Sequence, residues 1–489
     1  MRVYQPQLDV TLIKSNHRTN IIGSLPAAQV RYQGLYGINI TQYLGDGSVV
    51  QTTKSTRQPC GGFHIKFADM PLPNFLESIY ALIEPMDIVE IRMVHDVSTL
   101  PSGGKISLVM RGLVTGISRG ETMNGDKPQR HVSITGHDFA KFMQIYRIQY
   151  FPFTPESVNA LNDFRFFQTY APEGANKAMS GNDFVNLVAS KILTPFMSAI
   201  TAISNASALG ATQLNNWTTT GTGIDGNINP IALNGYNDNT IYEIMHELLD
   251  IGPFNEMFVQ DTEAGPNLVV RPIPFRDGKG NFIQGSTTFL DIPSADIVSQ
   301  SVYRSDEAVA NYYWVGVGRA SIMLGLDWQA MAYSVGNGDF VQFNYQNCLR
   351  SVFGTRKLEV STNMDSIQST FSNANKQADN NKEGKNALTW VDKRRTLLVS
   401  MNKDNAVFEQ GSLRLRGNEA IQAGIYLNLH RGVGQQYVGE VYAHTVTHEF
   451  MPFHGFYTTV QFDRGTMFIN RTQIPNNPYI GEIEAQGAI

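Results

Sequence analysis

Between Met86 and Ile148 the apolar residues change their spacing, and the change marks out a folding unit. Val89, Ile91 and Met93 alternate with Glu90 and Arg92, while Val132 and Ile134 alternate with His131, Ser133 and Thr135. This is the two-residue period of a half-buried strand. Between these runs lies ISLVMRGLVTGISRG, set off by the turn-forming stretches SGGK and MNGDK. Phe139, Phe142, Met143 and Tyr146 then fall at i, i+3, i+4 and i+7, which predicts a helix with Asp138 placed to cap it. Three strands closed by a helix predict half of a small antiparallel barrel.

Elsewhere the pattern is mixed. Residues 1–30 keep no sustained period and read as an arm, and VRYQGLYGINITQYL and GGFHIKFA read as strands or their connections. Phe75, Leu76, Ile79, Leu82 and Ile83 form one helical face that Pro85 ends. The aromatic stretch from Tyr150 to Tyr170 reads as core or subunit interface. Asp183 to Ile203 predicts a helix with Phe184, Leu187, Val188 and Ile192 on one face, and Asn205 to Asn239 predicts a long polar loop. Thr240 and Glu243 form a capping box ahead of Ile241, Ile244, Met245, Leu248 and Leu249, and Gly252-Pro253 stops that helix. A hairpin follows near Met257–Gln260 and Leu268–Arg271, then a strand pair from Ala308 to Val317. The polar stretch Asn363 to Asn386 is open to two readings, a solvated helix or a disordered loop; Leu388, Val391, Leu397 and Leu398 make an interrupted helical stripe after it. Near the C-terminus, Phe456, Thr458, Val460 and Phe462 face one side of a strand and Tyr457, Thr459, Gln461 and Asp463 the other. The stretch from Thr466 to Ile489 reads as extended.

Three of these stretches carry a resemblance. DIVEIR, MRGLVTGISR and KPQRHVSITGHDFAKFM, taken in order, are similar to the first barrel of the baseplate hub proteins of contractile bacteriophage tails. That family includes the late control protein D group and the base of the type VI secretion spike. LVVRPIPF, in the helix-and-hairpin stretch at about 240–275, resembles the family again. YVGEVYAHTVTHEF and GFYTTVQFDRG, at about 410–465, resemble the closing strands of its second barrel.

The resemblance implies a mainly β fold with α insertions, two small antiparallel β-barrels of the tail-tube-like kind and helix-containing connecting domains. The expected division is an N-terminal arm over 1–30, a first barrel over 31–150, a helical and loop insertion over 151–255 and a β-hairpin connecting domain over 256–300. A second barrel over 301–465, with a polar helical insertion at 362–403, and an extension over 466–489 complete it. The implied function is structural rather than enzymatic: a homotrimeric hub ring in the virion baseplate, assembled in the host bacterial cytoplasm. The ring would adapt the sixfold tail tube above to the threefold central spike below, nucleate tube assembly and let DNA pass. Implied partners are the tail tube protein, the central spike protein, the tape measure protein and other baseplate proteins.

Composition agrees with a subunit that buries much of itself against neighbours, since only 17% of the 489 residues are charged, below the ~25% usual for soluble domains. Lys plus Arg number 38 against 43 Asp plus Glu, a net charge of −5 with no basic run, so DNA is expected only in transit. A lumen that repels phosphate is the corresponding expectation. Cys60 and Cys348 lack metal-site spacing and read as free thiols. The N-terminus lacks the apolar core of a signal peptide, and Phe184 to Ala211 is too interrupted to span a membrane, so no membrane insertion is expected.

Candidate chemistry is sparse. His444, His448, Glu449 and His454 form a histidine cluster, but HTVTHE lies in a strand pattern and lacks the His-Glu-x-x-His order of a zinc protease, so no metal or other cofactor is expected. Glu243 with Glu247, or Glu256 with Asp261, could be nominated as the paired carboxylates of a glycosidase. On that basis the competing reading is a carbohydrate-active or cell-wall-degrading tail enzyme. GVGRAS, Gly316 to Ser321, lacks the lysine of a phosphate loop. Trp217, Trp314, Trp328 and Trp390 are scattered singly and read as packing anchors. A spike-base reading would call for a β-helical repeat after the second barrel, where only about 24 residues follow. No residue set is nominated as a catalytic, cofactor or metal site.

Overall fold

In the computed structural model of the chain the described residues are 4–13, 38–69, 78–100, 104–124, 127–147, 179–200, 217–221, 223–228, 239–277, 280–317, 345–366, 377–430 and 437–466. The fold is mainly β with helical insertions. A first lobe holds β1 (Gln7–Ile13), β2 (Ile38–Asn39), β3 (Val49–Ser55), β4 (Gly62–Ala68), β5 (Ile88–Val94), β6 (Leu108–Asn124) and β7 (Lys127–Asp138). A middle module follows with β8 (Met179–Ser180), β9 (Thr218–Thr220), β10 (Asn227–Ile228), β11 (Asn255–Thr262) and β12 (Gly265–Pro272). The second lobe opens with β13 (Phe289–Ile292) and β14 (Ile297–Tyr303), which begin inside the segment 256–300 expected to be a connecting hairpin. After the parallel pair β15 (Tyr312–Val317) and β16 (Lys357–Thr362) come β17 (Glu409–Arg416), β18 (Tyr426–His430), β19 (Tyr437–Met451) and β20 (Gly455–Gly465).

The two lobes share one topology. The first runs β3-β4-β7-β6-β5-β1 across the sheet and the second runs β14-β17-β20-β19-β18-β13, the same spatial order for the same chain order. Even an irregularity repeats. In β6 the register skips Thr115, between the pairs Val114–Gly136 and Gly116–Thr135. In β19 it skips His444, between Ala443–Phe462 and Thr445–Gln461. A bulge of this kind bends its strand and increases its twist. The lobes differ at one margin, where β1 is antiparallel to β5 but β13 is parallel to β18.

Between the lobes runs a seam. β3 pairs antiparallel with β19 from Ser55–Thr445 to Val50–Phe450. Ser55 and Thr445 share a hydrogen bond of 2.8 Å between side-chain oxygens, and Thr53 and Thr447 one of 3.1 Å. The seam makes a single thirteen-stranded sheet of both lobes. Among the described residues neither lobe's pairing closes into a complete barrel; in the first, the free edge of β3 is taken by β19. Each lobe nevertheless wraps its own core. Val10, Val50, Ile65, Ile91, Met110, Val114 and Ile134 meet in the first, and Leu413, Leu427, Val441, Val446 and Val460 in the second.

The expected alternation of β20 is present, with Phe456, Thr458, Val460 and Phe462 buried. In β5 the outward positions are covered as well, and Arg92 is buried beside the half-buried Glu90. The helix after β7 is short, Lys141–Ile145, and buries Phe142 and Met143. Asp138 does not cap it in the expected way: Ala140 stands at the cap position, and the Asp138 carboxylate accepts from Ala140 N at 3.1 Å while also holding Lys54. Of the helical face expected around Phe75 to Ile83, residues 75 and 76 lie outside the described residues, and Ile79–Ala81 forms one 3-10 turn beside the buried Leu82 and Ile83.

The middle module packs the helices Gly181–Val188, Thr194–Ile200 and Ile241–Leu248 against the β11–β12 hairpin. Thr240 and Glu243 form the expected capping box. Ala308 to Val317 gives one strand rather than a strand pair, since β15 takes its partner β16 from forty-odd residues downstream in a parallel register. From residue 377 onward the polar stretch is helical, in the helix Gln377–Asn402, whose Val391, Leu398 and Val399 pack on Tyr313 and Val315 of β15. The expectations for 150–170, for most of 205–239 and for 467–489 fall outside the described residues.

Gly136 tests the packing of the first lobe, because a Cβ there would come within 2.1 Å of the Phe63 ring and 2.3 Å of the Leu113 carbonyl oxygen. Gly136→Ala is expected to destabilise the chain by about 1–3 kcal/mol, the usual range for overpacking, read as a lowered urea midpoint. An unchanged midpoint would refute this packing.

Candidate functional site

The sequence places charged residues in β3, β5, β6, β7, β11 and β12, and the fold gathers them into three buried polar junctions under the lobes. In the first, Lys54 on β3 lies 2.6 Å from Asp138 at the end of β7 and 2.7 Å from Asp261 on β11. Its Nζ also donates to Val259 O at 3.1 Å. Burial by itself would lower the Lys54 pKa, but the two carboxylates outweigh it and push it up to about 12. Burial raises the Asp138 pKa and the neighbouring Asp261 adds to the rise, while Lys54 opposes it. One ammonium thus holds two acids from separate elements.

In the second junction Glu90 of β5 accepts from Arg111 Nη2 at 2.8 Å and from Arg92 Nε at 2.5 Å. Arg92 reaches on to Glu263, in the β11–β12 turn, with Nη2 to Oε2 at 2.9 Å. Burial would raise the Glu90 pKa, yet the two guanidinium groups hold it below the usual carboxylate range. In the third, Glu256 of β11 accepts from the Tyr442 hydroxyl of β19 at 2.6 Å and from Arg271 Nε of β12 at 2.8 Å. Arg271 donates onward to Gly424 O and Thr287 Oγ1. Burial raises the pKa of Glu256, against the pull of Arg271. One hairpin is therefore clamped at its tip to the first lobe and at its base to the second.

These contacts engage three of the four nominated carboxylates. Glu256 and Asp261 are structural ligands of Arg271, Tyr442 and Lys54, and Glu243 is held in its capping box. The Glu247 backbone carbonyl oxygen accepts from Asn363 Nδ2. A cleft of about 370 Å³ lies beside Glu256, Tyr242, His246, Asp463 and Arg464, but Asp463 in it pairs with Arg57. Both carboxylate oxygens of Glu256 are engaged, and one oxygen of Asp463 is.

The histidines are also dispersed in role. His448 is buried; its Nε2 donates to Ile421 O at 3.1 Å and its Nδ1 accepts from Thr458 Oγ1 at 3.0 Å. That pattern fits a neutral ring, and burial pushes its pKa down to about 4. His444, at the bulge, bonds to Thr445 Oγ1 at 2.9 Å, Glu449 pairs with Arg414 at 3.2 Å, and His454 is exposed beside Asp46. Among the described residues no group of three or more His, Cys, Asp or Glu side chains converges on a point. Cys60 and Cys348 are free thiols, and burial pushes the Cys60 pKa up to about 11. Trp217 and Trp390 are buried and Trp314 half-buried; Trp328 lies outside the described residues, as does GVGRAS beyond Val317. Arg394 stacks over Trp390 at 4.3 Å and over Phe254 at 4.6 Å, which anchors the helix Gln377–Asn402. Among the described residues no helix is long and apolar enough to cross a membrane.

What sequence reading missed is that the polar residues serve as clamps. The available signal was charge at strand positions, Glu90, Arg92 and Arg111, within otherwise apolar runs; Glu90 and Arg92 pair locally, but their further partners Arg111 and Glu263 lie 21 and 171 residues away.

No protein-family profile matches this chain, and no curated protein matches it. Among solved structures it is similar to the prophage MuSo2 43 kDa tail protein from Shewanella oneidensis, with 11% identity over 93% of this chain and 97% of that one and a TM-score of 0.42. It is similar also to a tail protein from Neisseria meningitidis MC58, with 9% identity over 94% and 97% and a TM-score of 0.44. A third is the E. coli c3393 protein, described as a type VI secretion component with structural similarity to the T4 bacteriophage tail proteins gp27 and gp5; identity is 6% over 86% and 75%, and the TM-score is 0.36.

Two outcomes follow. Lys54→Met leaves Asp138 and Asp261 together without their cation, and should cost about 3–5 kcal/mol in urea unfolding, the range for breaking a buried pair; a loss below 1 kcal/mol would show that the junction is not a clamp. The His448 pKa is about 4 folded against 6.5 unperturbed, so the unfolded chain binds the extra proton between those values. Its contribution is fully present above about pH 6.5 and is lost as pH falls towards 4, roughly 3 kcal/mol in all. His448→Gln should flatten that part of the stability profile; an unchanged slope would exclude His448 as its source.

Proposed function

We propose that this chain is a structural hub subunit of a phage-type contractile tail. The observation that carries the reading is the duplication: two lobes of one topology, joined edge to edge in a continuous sheet within one polypeptide. Three copies of a two-lobed chain closed around an axis present six similar lobes. Such a ring has threefold symmetry in its subunits and sixfold repetition in its surfaces, which suits an adaptor between a sixfold tube and a threefold spike. The sequence resemblance supplies the rest: a homotrimer with the tail tube protein above, the central spike protein below and the tape measure protein among its neighbours, nucleating the tube and passing DNA. The net charge of −5 favours passage of a polyanion over its retention.

Native mass spectrometry and light scattering of the purified chain, alone and mixed with its tail neighbours, test the proposal. The expected result is a species of three times the 54.3 kDa chain mass. A stable monomer that ignores those neighbours and releases fragments from purified cell wall would replace the hub reading with the enzymatic one.

A further inference from the structure

Resting on the hub reading, we propose that the outer edge of β14 pairs antiparallel with the second half of β6 in a second copy of this chain, repeating between copies the seam that β3 and β19 make within one. β14 stands in the second lobe where β3 stands in the first, and β6 stands in the first where β19 stands in the second. Within the chain, β3 is covered by the part of β19 beyond its bulge. The matching part of β6, Gly116–Asn124, pairs with β7 on one side, and among the described residues no strand pairs with its other side, because β5 extends only as far as Leu113. β14 likewise has β17 on one side and no described strand on the other.

Burial follows the same division. Along the internal seam Val50, Thr52 and Ser55 of β3 and Thr445, Val446, His448 and Phe450 of β19 are buried. Along β14 four consecutive residues, Val298 to Ser301, are exposed, with Val298 at 52%, and Tyr303 is 57% exposed. Its sequence, IVSQSVY, contains no charge and no proline. Edge strands that stay in water are commonly guarded by lysine, proline or inward charge, because a bare edge is a template for another strand. An unguarded edge whose counterpart is already paired elsewhere in the same molecule points to a partner of the same kind, and the complementary edge is on β6.

The repeat also gives the register. The shared bulges set Gly120 in the place of Glu449 and Ser118 in the place of Thr447. The pairings through β4 and β17 set Ser301 in the place of Gln51 and Tyr303 in the place of Thr53. Since Gln51 faces Glu449 and Thr53 faces Thr447 in the internal seam, Ser301 faces Gly120, Gln300 faces Glu121 and Tyr303 faces Ser118 of the next copy. No like charges meet in this register. Each copy offers one β14 edge and one β6 edge, so the contact is head-to-tail and closes only as a ring.

Cysteine pairs read the register directly, because residues facing each other across an antiparallel pair have Cβ atoms about 4.5–5.5 Å apart, near disulfide reach. The double variant Tyr303→Cys/Ser118→Cys is oxidised in the full-length protein and run on a non-reducing gel. Dimer and trimer bands are expected, and at least a tenfold weaker yield from either single variant and from Val302→Cys/Ser118→Cys, which is shifted by one residue. Gln300→Pro, which removes an N–H on the free edge, should abolish the oligomer while far-ultraviolet circular dichroism stays that of the parent. A trimer by mass with no in-register cross-link, or one that survives Gln300→Pro, would overturn this seam and leave the hub reading standing. A chain that remains monomeric with its tail neighbours would overturn both.

Discussion

Six residue pairs between β3 and β19 decide the shape of this molecule. With them the backbone ladder passes from one lobe to the other without a break. A ladder of this kind fixes distance, angle and register at once, since a one-residue slip would turn every side chain to the wrong face. Thr53 with Thr447 and Ser55 with Thr445 add side-chain hydrogen bonds at positions where such a slip would leave hydroxyls unpaired. The relative placement of the lobes is thereby a property of strand pairing and not of a flexible linker.

The β11–β12 hairpin secures the same geometry from below. Asp261 and Glu263 tie it to the first lobe through Lys54 and Arg92, and Glu256 ties it to the second through Tyr442. An apolar contact would have been at least as stabilising in many settings, because desolvating charges costs much of what their attraction returns. A charged contact is directional, however, and its cost when mispaired is high. For a part that must present two lobes at one fixed relation, that penalty against wrong arrangements is the useful property.

Local order was legible and long-range order was not. The alternation through Phe456, Thr458, Val460 and Phe462 and the Thr240–Glu243 box need only neighbouring residues, and both stand as read. Ala308 to Val317 looked like a pair because its own run is apolar, but a parallel partner is never adjacent in sequence, and β16 comes only after a long excursion. Asp138 had the position of a helix cap; Lys54, eighty-four residues earlier, takes one of its two carboxylate oxygens and Ala140 N the other. The same cause hid the partners of Glu256 and Asp261, since nothing in their spacing announces Tyr442 or Lys54. The likeness of the two lobes was equally hidden in residue identities: Thr115 and His444 share a bulge but no chemistry.

The distance along the chain between the two sides of the seam bears on how the protein is made. Thr53 and Thr447 are separated by 394 residues. At synthesis rates of roughly 5–20 residues per second, β3 emerges from the ribosome about 20–80 s before its partner exists. Throughout that interval a nascent first lobe carries a naked strand border, and translation speed, crowding of neighbouring ribosomes and chaperone occupancy all bear on whether it waits for β19 or joins a stranger.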